Sequence, residues 1–327
     1  MALVGVSIVI CTYNGVARLE KTLNHLLALN SRFPWELILV DNASTDGTGD
    51  WVTNWLKSQA IKISFQIIEE KKPGLNHARI AGYQNSNFDF ILFCDDDNWL
   101  SPDFVEVGST ILSSNSKIGV LGSLGQAVFE AQESDWFSQF SHSYAVGSLG
   151  KISGKQNFGS YHYGAACFFR KEALARLLSL GYQTLLADRT GKSLSSGGDV
   201  ELCLAVQLLA YELHYDDRLK FYHFIESHRL NWSYYLSLKK GISQSFPLLE
   251  SYKIHEFEDL KSFKNHLNTL FINVVKGVIK SGLGKFSSSS RSREVAFTTT
   301  KTKLGSFFRN YKKTLGAYAT NKKMFNA

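Results

Sequence analysis

The chain has 327 residues, of which 44% are hydrophobic and 20% are charged, and its formal net charge is +7. This length suits one large α/β domain with an appendage, or two small domains. From Lys285 to Ala327 there are ten Lys or Arg residues and one Glu, which gives +9, so the rest of the chain sums to −2. A near-neutral body with a basic tail argues against a nucleic-acid-binding protein and predicts that the tail meets an acidic surface.

Cysteine usage and hydropathy indicate the compartment. The four cysteines lie in apolar surroundings without a C-x-x-C pair, namely Cys11, Cys94, Cys167 and Cys203. This favours buried free thiols in a reducing compartment over disulfides or a zinc site. Met1 to Cys11 has neither the basic start nor the cleavage site of a signal peptide, and no stretch reaches the ~20 apolar residues of a spanning helix. We therefore expect a cytoplasmic protein, with peripheral contact at the inner face of the membrane through the basic tail.

The first hundred residues alternate β-branched apolar runs with helical periodicity. The predicted elements are a strand at Val4–Cys11, a helix at Val16–Leu29, a strand at Trp35–Val40, a helix at Gly49–Ser58, a strand at Ile61–Ile68, a helix at Asn76–Tyr83 and a strand from Phe90 to Cys94. Strand alternating with helix predicts an α/β fold with a doubly wound, mostly parallel sheet.

The second hundred residues are less regular. They predict a helix at Pro102–Ser114, a short strand at Ile118–Leu121, a strand at Gly164–Phe169, a helix at Lys171–Leu180, a helix from Asp199 to Tyr211 and a short strand at Leu219–Phe224. Between them, 126–160 is rich in aromatic residues among Gly and Ser. Aromatic packing in a subdomain and a wall for a sugar or lipid acceptor both fit this composition.

After Glu226 the pattern changes to two or three amphipathic helices broken at Pro247, then a linker at Ser287–Ser290. The last stretch fits either an interfacial helix on anionic lipid or a packed C-terminal helix. We therefore predict a domain at 1–225, with a nucleotide-binding half at 1–100 and an acceptor half at 101–225. A helical, basic extension follows at 226–327.

Polar, irregular segments follow three of the predicted strands: Thr12–Gly15, Asp41–Thr48 and Asp95–Asn98. In doubly wound sheets, ligands bind outside the carboxyl ends of the strands. Asp95 and Asp97 point to the same side of an extended chain, and two such charges ~4 Å apart repel by about 4 kcal/mol at an effective dielectric near 20. A hard divalent cation, Mg²⁺ or Mn²⁺, that takes further ligands from substrate phosphates would relieve this repulsion.

A separate acid, Asp199, opens a helix directly after Gly197 and Gly198. The glycines allow close backbone approach to a ligand, although helix capping alone would explain an Asp here. Glu201 is the rival acid. On a helix it lies about 200° from Asp199, so both should not face one crevice.

Five short motifs occur in order along the first 225 residues. They are Val6–Asn14, Val40–Thr48, Gly74–Arg79, Asp95–Asp97 and Gly197–Leu202. In this order and at these spacings they resemble the family 2 glycosyltransferases. The resemblance implies the GT-A type nucleotide-sugar-binding fold and a metal-dependent, inverting transfer of one sugar from a nucleotide-diphosphate sugar to a glycan or lipid-linked acceptor, as in cell-surface polysaccharide biosynthesis.

The resemblance also implies a role for each matching residue. The nucleotide-binding set is Thr12, Tyr13, Asn14, Asp41, Asp46, Arg79, Asp95 and Asp96. Asp97 would be the main metal ligand, with Asp95 beside it, and Asp199 would be the catalytic base. His223 lies where some relatives place a further residue near the metal, with core packing as the alternative reading.

Other functions were weighed against this one. A nicotinamide oxidoreductase needs G-x-G-x-x-G after the first strand, where this chain has Thr12-Tyr13-Asn14-Gly15. A sugar-phosphate nucleotidyltransferase would show a glycine-rich, basic loop there, and a non-catalytic nucleotide-sugar-binding module would not need Asp95, Asp97 and Asp199 together. The Gln-x-x-Arg-Trp signature of processive synthases is absent, which predicts single-sugar transfer.

Overall fold

A computed structural model describes residues 4–59, 63–149, 151–186, 188–189, 194–283 and 289–325. The chain divides into two compact units. The first unit is Met1–Gly181 with Leu202–Leu230, and the second unit is Tyr182–Glu201 with Asn231–Ala327. The division at residues 225 and 226 expected from the sequence stays a prediction.

The first unit is an α/β layer structure. Its strands are β1 (Val6–Thr12), β2 (Trp35–Asp41), β3 (Ser64–Glu69), β4 (Phe90–Asp95), β5 (Asn98–Leu100), β6 (Ile118–Phe129), β7 (Gly154–Lys155), β8 (Ala166–Arg170) and β9 (Glu212–Ile225). Its helices are α1 (Val16–Leu27), α2 (Thr48–Ser58), α3 (Leu75–Gln84), α4 (Phe104–Ser114), α5 (Phe137–Phe140) and α6 (Lys171–Ser179). The next helix along the chain, α7 (Gly198–Leu208), begins in the second unit and ends in the first.

The described strands form one sheet in the order β3-β2-β1-β4-β8-β6-β9-β5, with β7 paired to β9. Strands β1 to β4 pair in parallel, as the alternation of strand and helix predicts. Beyond β4 the sheet is mixed, because β8 runs antiparallel to both β4 and β6 while β6 and β9 are parallel. The α/β fold class is confirmed, and the parallel order applies to its first half.

The core of the first unit lies between the sheet and its helices. Strands β1 and β4 are almost fully buried, and α1 turns Leu19, Leu23 and Leu26 inward to cover them. Burial on both faces explains why these strands read as continuous apolar runs. Each such side chain removed from water stabilises the fold by about 1.5–3 kcal/mol.

Strands β6 and β9 are longer than the sequence predicted. The expected strands Ile118–Leu121 and Leu219–Phe224 are parts of Ile118–Phe129 and Glu212–Ile225. Their pairing contains register shifts, including one between Gly122 and Leu124. These irregularities, with the Gly and Ser residues of β6, break the period-2 pattern that marks a strand.

His162 is packed against β6 of the first unit and is almost fully buried. A Cβ on Gly122 would come within 2.1 Å of its ring, so only glycine fits opposite it. Its Nε2 atom has no hydrogen-bond partner, and its ring stacks on Tyr215. Burial, with the positive charge of Lys151, lowers the pKa of His162 from 6.5 to about 3.

This lowered pKa predicts acid sensitivity. His162 is neutral when folded, so its contribution to stability is complete above pH 6.5 and is lost as the pH falls toward 3. Between pH 6.5 and 5 the free energy of unfolding should decrease by about 2 kcal/mol through this residue. Urea unfolding across that range measures it, with His162→Gln as the comparison. The prediction would be contradicted if the free energy of unfolding changed with pH equally in the unchanged protein and in His162→Gln.

The second unit is helical. Besides the start of α7 it contains α8 (Trp232–Gln244), α9 (Phe246–Leu249), α10 (Leu260–Gly282) and α11 (Ser290–Phe325). A capping box formed by Asp259 and Ser262 begins α10. Of the linker expected at Ser287–Ser290, the first two residues lie outside the described residues, and Ser290 begins α11.

The long helix α11 packs as part of the second unit. Its residues Phe307, Thr314 and Tyr318 are buried, and Tyr318 stacks on Phe263 of α10 at 4.0 Å between ring centroids. Of the two alternatives left open by the sequence, packing accounts for Phe307. Among the described helices, none combines the length and the apolar character needed to cross a membrane.

Candidate active site

The parallel strands bring several predicted site residues to one edge of the sheet. In the register of β1 with its neighbours, Thr12 lies opposite Asp41 and Cys11 lies opposite Asp95. All of these positions are at the carboxyl ends of their strands. The pairing of β1 with β2 and β4 thus brings the polar segments after these strands to the same edge of the sheet, as the sequence predicts.

Asp96 and Thr12 are bonded to each other. The Thr12 hydroxyl donates to Asp96 Oδ2 at 2.6 Å, and the Arg18 guanidinium donates to the same oxygen at 2.8 Å. The Thr22 hydroxyl donates to the Asp96 carbonyl at 2.8 Å. Burial raises the pKa of Asp96, and Arg18 opposes that shift. These bonds tie the turn after β4 to α1, while nucleotide contact by Thr12 and Asp96 stays a prediction.

The loops after β1 and β2 hold each other through three predicted site residues. Asn14 adopts a left-handed backbone conformation (φ 52°), and its side-chain oxygen accepts from the backbone N–H of Thr45 at 2.8 Å. The carboxylate of Asp41 accepts from the Ser44 and Gly49 backbone at 3.0 and 3.1 Å. Asp46 accepts from both the backbone and the hydroxyl of Thr48. Asp46 therefore orders its own loop, while its contact with a nucleotide stays a prediction.

Two predicted nucleotide-binding residues differ in exposure. Tyr13 is 43% exposed at the end of β1, whereas Arg79 on α3 is buried and lies over the ring of Phe93. Sequence reasoning missed Asn42, whose side chain donates to the carbonyls of Glu70 and Lys72 and accepts from the Gly74 N–H. Asn42 therefore holds the loop between β3 and α3 against the end of β2.

The most distinctive feature of this edge is a buried cluster around Asp97. Strand β5 pairs antiparallel with β9, which sets Asn98 opposite His223 and brings Asp97 beside it. Asp97 Oδ2 lies 2.8 Å from an Arg229 guanidinium nitrogen and 3.3 Å from His223 Nε2. The side chains of all three residues are close to fully buried. Asp97 is therefore already balanced by a positive charge that the sequence did not reveal.

The tautomer of His223 follows from its other ring nitrogen. Nδ1 lies 2.6 Å from the carbonyl oxygen of Tyr144, which can only accept, so Nδ1 carries the proton. The other ring nitrogen, Nε2, lies 3.3 Å from Asp97 Oδ2 and makes no hydrogen bond in the structure. A neutral imidazole can offer the lone pair of such a nitrogen to a cation, and a protonated imidazole can donate from it to a carboxylate.

The side chains around Asp97 include possible ligands for a metal ion. Within the part of the chain that the structure describes, no three His, Cys, Asp or Glu side chains form a complete ion site. Asp97 and His223 nevertheless supply a carboxylate and an imidazole nitrogen without a hydrogen bond, with Asp95 at the end of the adjoining strand. Mg²⁺ sites in proteins often use one or two carboxylates and complete the coordination shell with waters and substrate phosphates. The residues fit an ion of that kind.

The two acids of α7 have different surroundings in the second unit. Asp199 is half-buried at the first turn, and its Oδ1 accepts from the Val200 N–H at 2.9 Å. Glu201 is fully buried and accepts from the backbone N–H groups of Leu185 and Leu186 and from the Tyr252 hydroxyl. Burial raises the pKa of Glu201. The structure thus gives Glu201 a role in holding the fold.

The sequence profile of the family described as "Glycosyl transferase family 2" matches residues 7–178, which is just over half of the chain. The chain belongs to glycosyl transferase family 2. The family 2 match contains strands β1 to β4 and the Asp97 end of the site.

Individual relatives agree with this membership. The chain is 27% identical over 101 residues to glycosyltransferase GlyA of Streptococcus pneumoniae, a match covering 31% of this chain and 14% of GlyA. It is 32% identical over 102 residues to an uncharacterized glycosyltransferase, YwdF, of Bacillus subtilis, covering 31% of this chain and 35% of YwdF. The matches thus span about a seventh and about a third of these relatives' lengths.

Solved structures show the same fold. The mannosyltransferase PcManGT from Pyrobaculum calidifontis, in complex with GDP-Man and Mn²⁺, superposes with a TM-score of 0.55 over 98% of this chain and 86% of its own, at 14% identity. Residues 1–349 of S. aureus TarS, in complex with UDP-GlcNAc, give 0.52 over 94% and 92%, at 12% identity. The expected GT-A type fold is therefore confirmed.

Proposed function

We propose that this family 2 member transfers one sugar, with inversion, from a nucleotide-diphosphate sugar to an acceptor hydroxyl. The observation that carries the proposal is the buried pair of Asp97, which follows β4 and lies within the family 2 match, and His223 on β9. A buried carboxylate beside an imidazole nitrogen that makes no hydrogen bond is a donor set that a divalent cation bound to a diphosphate would use. Solved structures of the same fold contain a nucleotide sugar, and one of them contains Mn²⁺.

We assign the donor side of the reaction to the first unit. A divalent cation would be held by Asp97 with Asp95 and His223, where it would stabilise the diphosphate leaving group by several kcal/mol. The nucleotide would bind at the edge formed by Thr12, Tyr13, Asn14, Asp41, Asp46, Arg79, Asp95 and Asp96. Because Asp41, Asp46 and Asn14 already fix the two loops, this edge would need little reorganisation to receive a ligand.

We assign the general base to Asp199. The acceptor hydroxyl loses a proton as it attacks the sugar, and a positioned carboxylate contributes typically ~10²–10⁴-fold to such a step. Glu201 is a poorer candidate, since its two oxygens already accept three hydrogen bonds in a buried setting. A single displacement with one base inverts the anomeric carbon.

The acceptor we propose is a glycan or a lipid-linked saccharide at the cytoplasmic face of a membrane, in cell-surface polysaccharide biosynthesis. The excess of positive charge after residue 285 supports contact with an anionic surface. In the aromatic region that begins at residue 126, some side chains pack in the core and others lie at the surface. Trp136, Phe137 and Tyr144 are buried in it, whereas Phe158 and Tyr161 are exposed.

Calorimetric titration of UDP, GDP, dTDP and CDP in the presence of Mn²⁺ tests the donor side. One nucleotide should bind well below millimolar Kd, and excess chelator should weaken that binding strongly. The preferred base then names the donor class. If none of the four binds, or if binding is the same with chelator, the Asp97 edge is not a diphosphate site and the proposed transfer fails.

A further inference from the structure

Helices α10 and α11 of the second unit lie side by side and share an outer face. Asn268 accepts from the Tyr311 hydroxyl at 2.9 Å, and thirteen residues further along α10 the Ser281 and Thr300 hydroxyls lie 3.4 Å apart. The helices are therefore antiparallel. Each buries one side, through Phe263, Leu267 and Val274 on α10 and Phe307, Thr314 and Tyr318 on α11. The opposite sides form what we name the outer α10–α11 surface.

Large apolar side chains are exposed on this surface. Ile272, Ile279 and Leu283 are 51%, 56% and 63% exposed, and their spacing of seven and four residues places them on one stripe of α10. On α11, Phe308 is 71% exposed against Phe271, and Phe297 is 38% exposed near Gly282. Soluble proteins rarely expose apolar side chains in such a group without a binding role.

Positive charge surrounds these apolar residues. Exposed cations lie three or four residues from these apolar side chains, at Lys276 and Lys280 on α10 and at Lys301 and Lys312 on α11. Helix α10 contains no acidic residue, and the one acid of α11, Glu294, accepts from the Trp232 indole N–H at 2.7 Å. The sequence of the second unit holds nineteen Lys or Arg against eight acids, or +11, whereas the first unit sums to −4.

We propose that the outer α10–α11 surface docks on an anionic lipid bilayer. Exposed Ile, Leu and Phe interleaved with Lys and Arg form the pattern of helices that lie in the membrane interface. A nucleic acid would use the cations but not the exposed Ile272, Ile279 and Leu283. A second copy would bring an equally positive surface against this one, and like charges would oppose the contact. The proposal deepens the proposed function, since it rests on the inner-face location and names the surface responsible.

The basic tail expected from the sequence is therefore only part of the contact. Phe307 of that tail supports the core of the second unit, whereas α10 supplies the exposed stripe. Deleting the tail would remove core side chains and could not separate binding from folding. Point substitutions of exposed residues avoid this problem.

Sedimentation of the full protein with phosphatidylglycerol vesicles, without nucleotide, tests the docking. We expect binding to these vesicles, little binding to phosphatidylcholine vesicles, and loss of binding as salt is raised. The double variant Ile279→Ser with Leu283→Ser should weaken partitioning at least about tenfold. Lys276→Glu with Lys280→Glu should weaken it by more than about twentyfold, since each cation near an anionic surface contributes about fivefold.

Ile152→Ser is the matched control, because Ile152 is 84% exposed in the first unit. It should bind vesicles as the unchanged protein does. The proposal would be overturned if the unchanged protein sedimented equally with phosphatidylglycerol and phosphatidylcholine vesicles. It would also be overturned if both double variants bound phosphatidylglycerol vesicles as well as the unchanged protein does. A dimer in analytical ultracentrifugation that the same variants dissociate, or tight binding of single-stranded DNA that they abolish, would overturn it too. Nucleotide calorimetry in solution needs no lipid, so the two proposals can fail separately.

Discussion

Asp97→Asn is expected to abolish metal-dependent nucleotide binding. The carboxylate of Asp97 lies 2.8 Å from Arg229 and 3.3 Å from His223 Nε2, and an amide oxygen is a much weaker ligand for Mn²⁺. Removal of an outer partner of a metal ligand typically costs 10–100-fold in affinity. Loss of the ligand itself should therefore cost at least about 100-fold. Calorimetry with Mn²⁺ and the preferred nucleotide measures it.

Arg229 decides how this experiment must be controlled. Breaking a buried ion pair by removing one partner costs about 3–5 kcal/mol of stability, so Asp97→Asn alone could lose binding because the unit unfolds. The double variant Asp97→Asn with Arg229→Met removes both charges and should recover much of the melting temperature without recovering nucleotide binding. If the folded double variant binds nucleotide and Mn²⁺ like the unchanged protein, Asp97 is not the metal ligand.

The single variant Arg229→Met gives the complementary result. With the guanidinium gone, Asp97 has lost a competing cation at 2.8 Å, so Mn²⁺ alone should bind more tightly than to the unchanged protein. The melting temperature should fall without metal and rise again when Mn²⁺ is added, because binding to the folded state stabilises it. If Mn²⁺ does not raise the lowered melting temperature again, the Asp97–Arg229 pair only stabilises the fold, and Asp97 does not bind the metal.

The sequence predicts the first half of the sheet closely. Strands β1 and β4 begin or end within two residues of their expected positions, because strands buried on both faces leave a continuous apolar run. The polar residues after these strands could be placed at one edge because parallel strands have their carboxyl ends on the same side of the sheet. The local hydrophobic pattern of the sequence is enough to predict each of these features.

Arg229 could not be found in this way. It contacts Asp97 across 132 residues of sequence, and its surroundings carry no motif that indicates a buried cation. A helix in the last stretch was predicted, but its length of 36 residues was not, because Ser, Thr and Gly lower the helix propensity that packing in the second unit overrides.

Asp199→Asn is expected to reduce kcat by about 10²–10⁴ while leaving donor binding unchanged. The amide keeps the size of the side chain and can still accept from the Val200 N–H, but it cannot take a proton from an attacking hydroxyl. Release of the nucleotide from the donor that calorimetry identifies, followed with its acceptor present, gives kcat. Titration of the same donor confirms that binding is intact.

Glu201→Gln is the matched control for this test, because it changes a neighbouring acid on the same helix in the same way. Glu201 holds the 185–186 backbone and Tyr252, so its amide places an N–H group against a donor and should cost about 1–3 kcal/mol of stability. Its effect on kcat should be far smaller than that of Asp199→Asn once both proteins are folded. If Glu201→Gln instead removes activity and Asp199→Asn retains it, the base is Glu201, and α7 must present its first turn differently during the reaction.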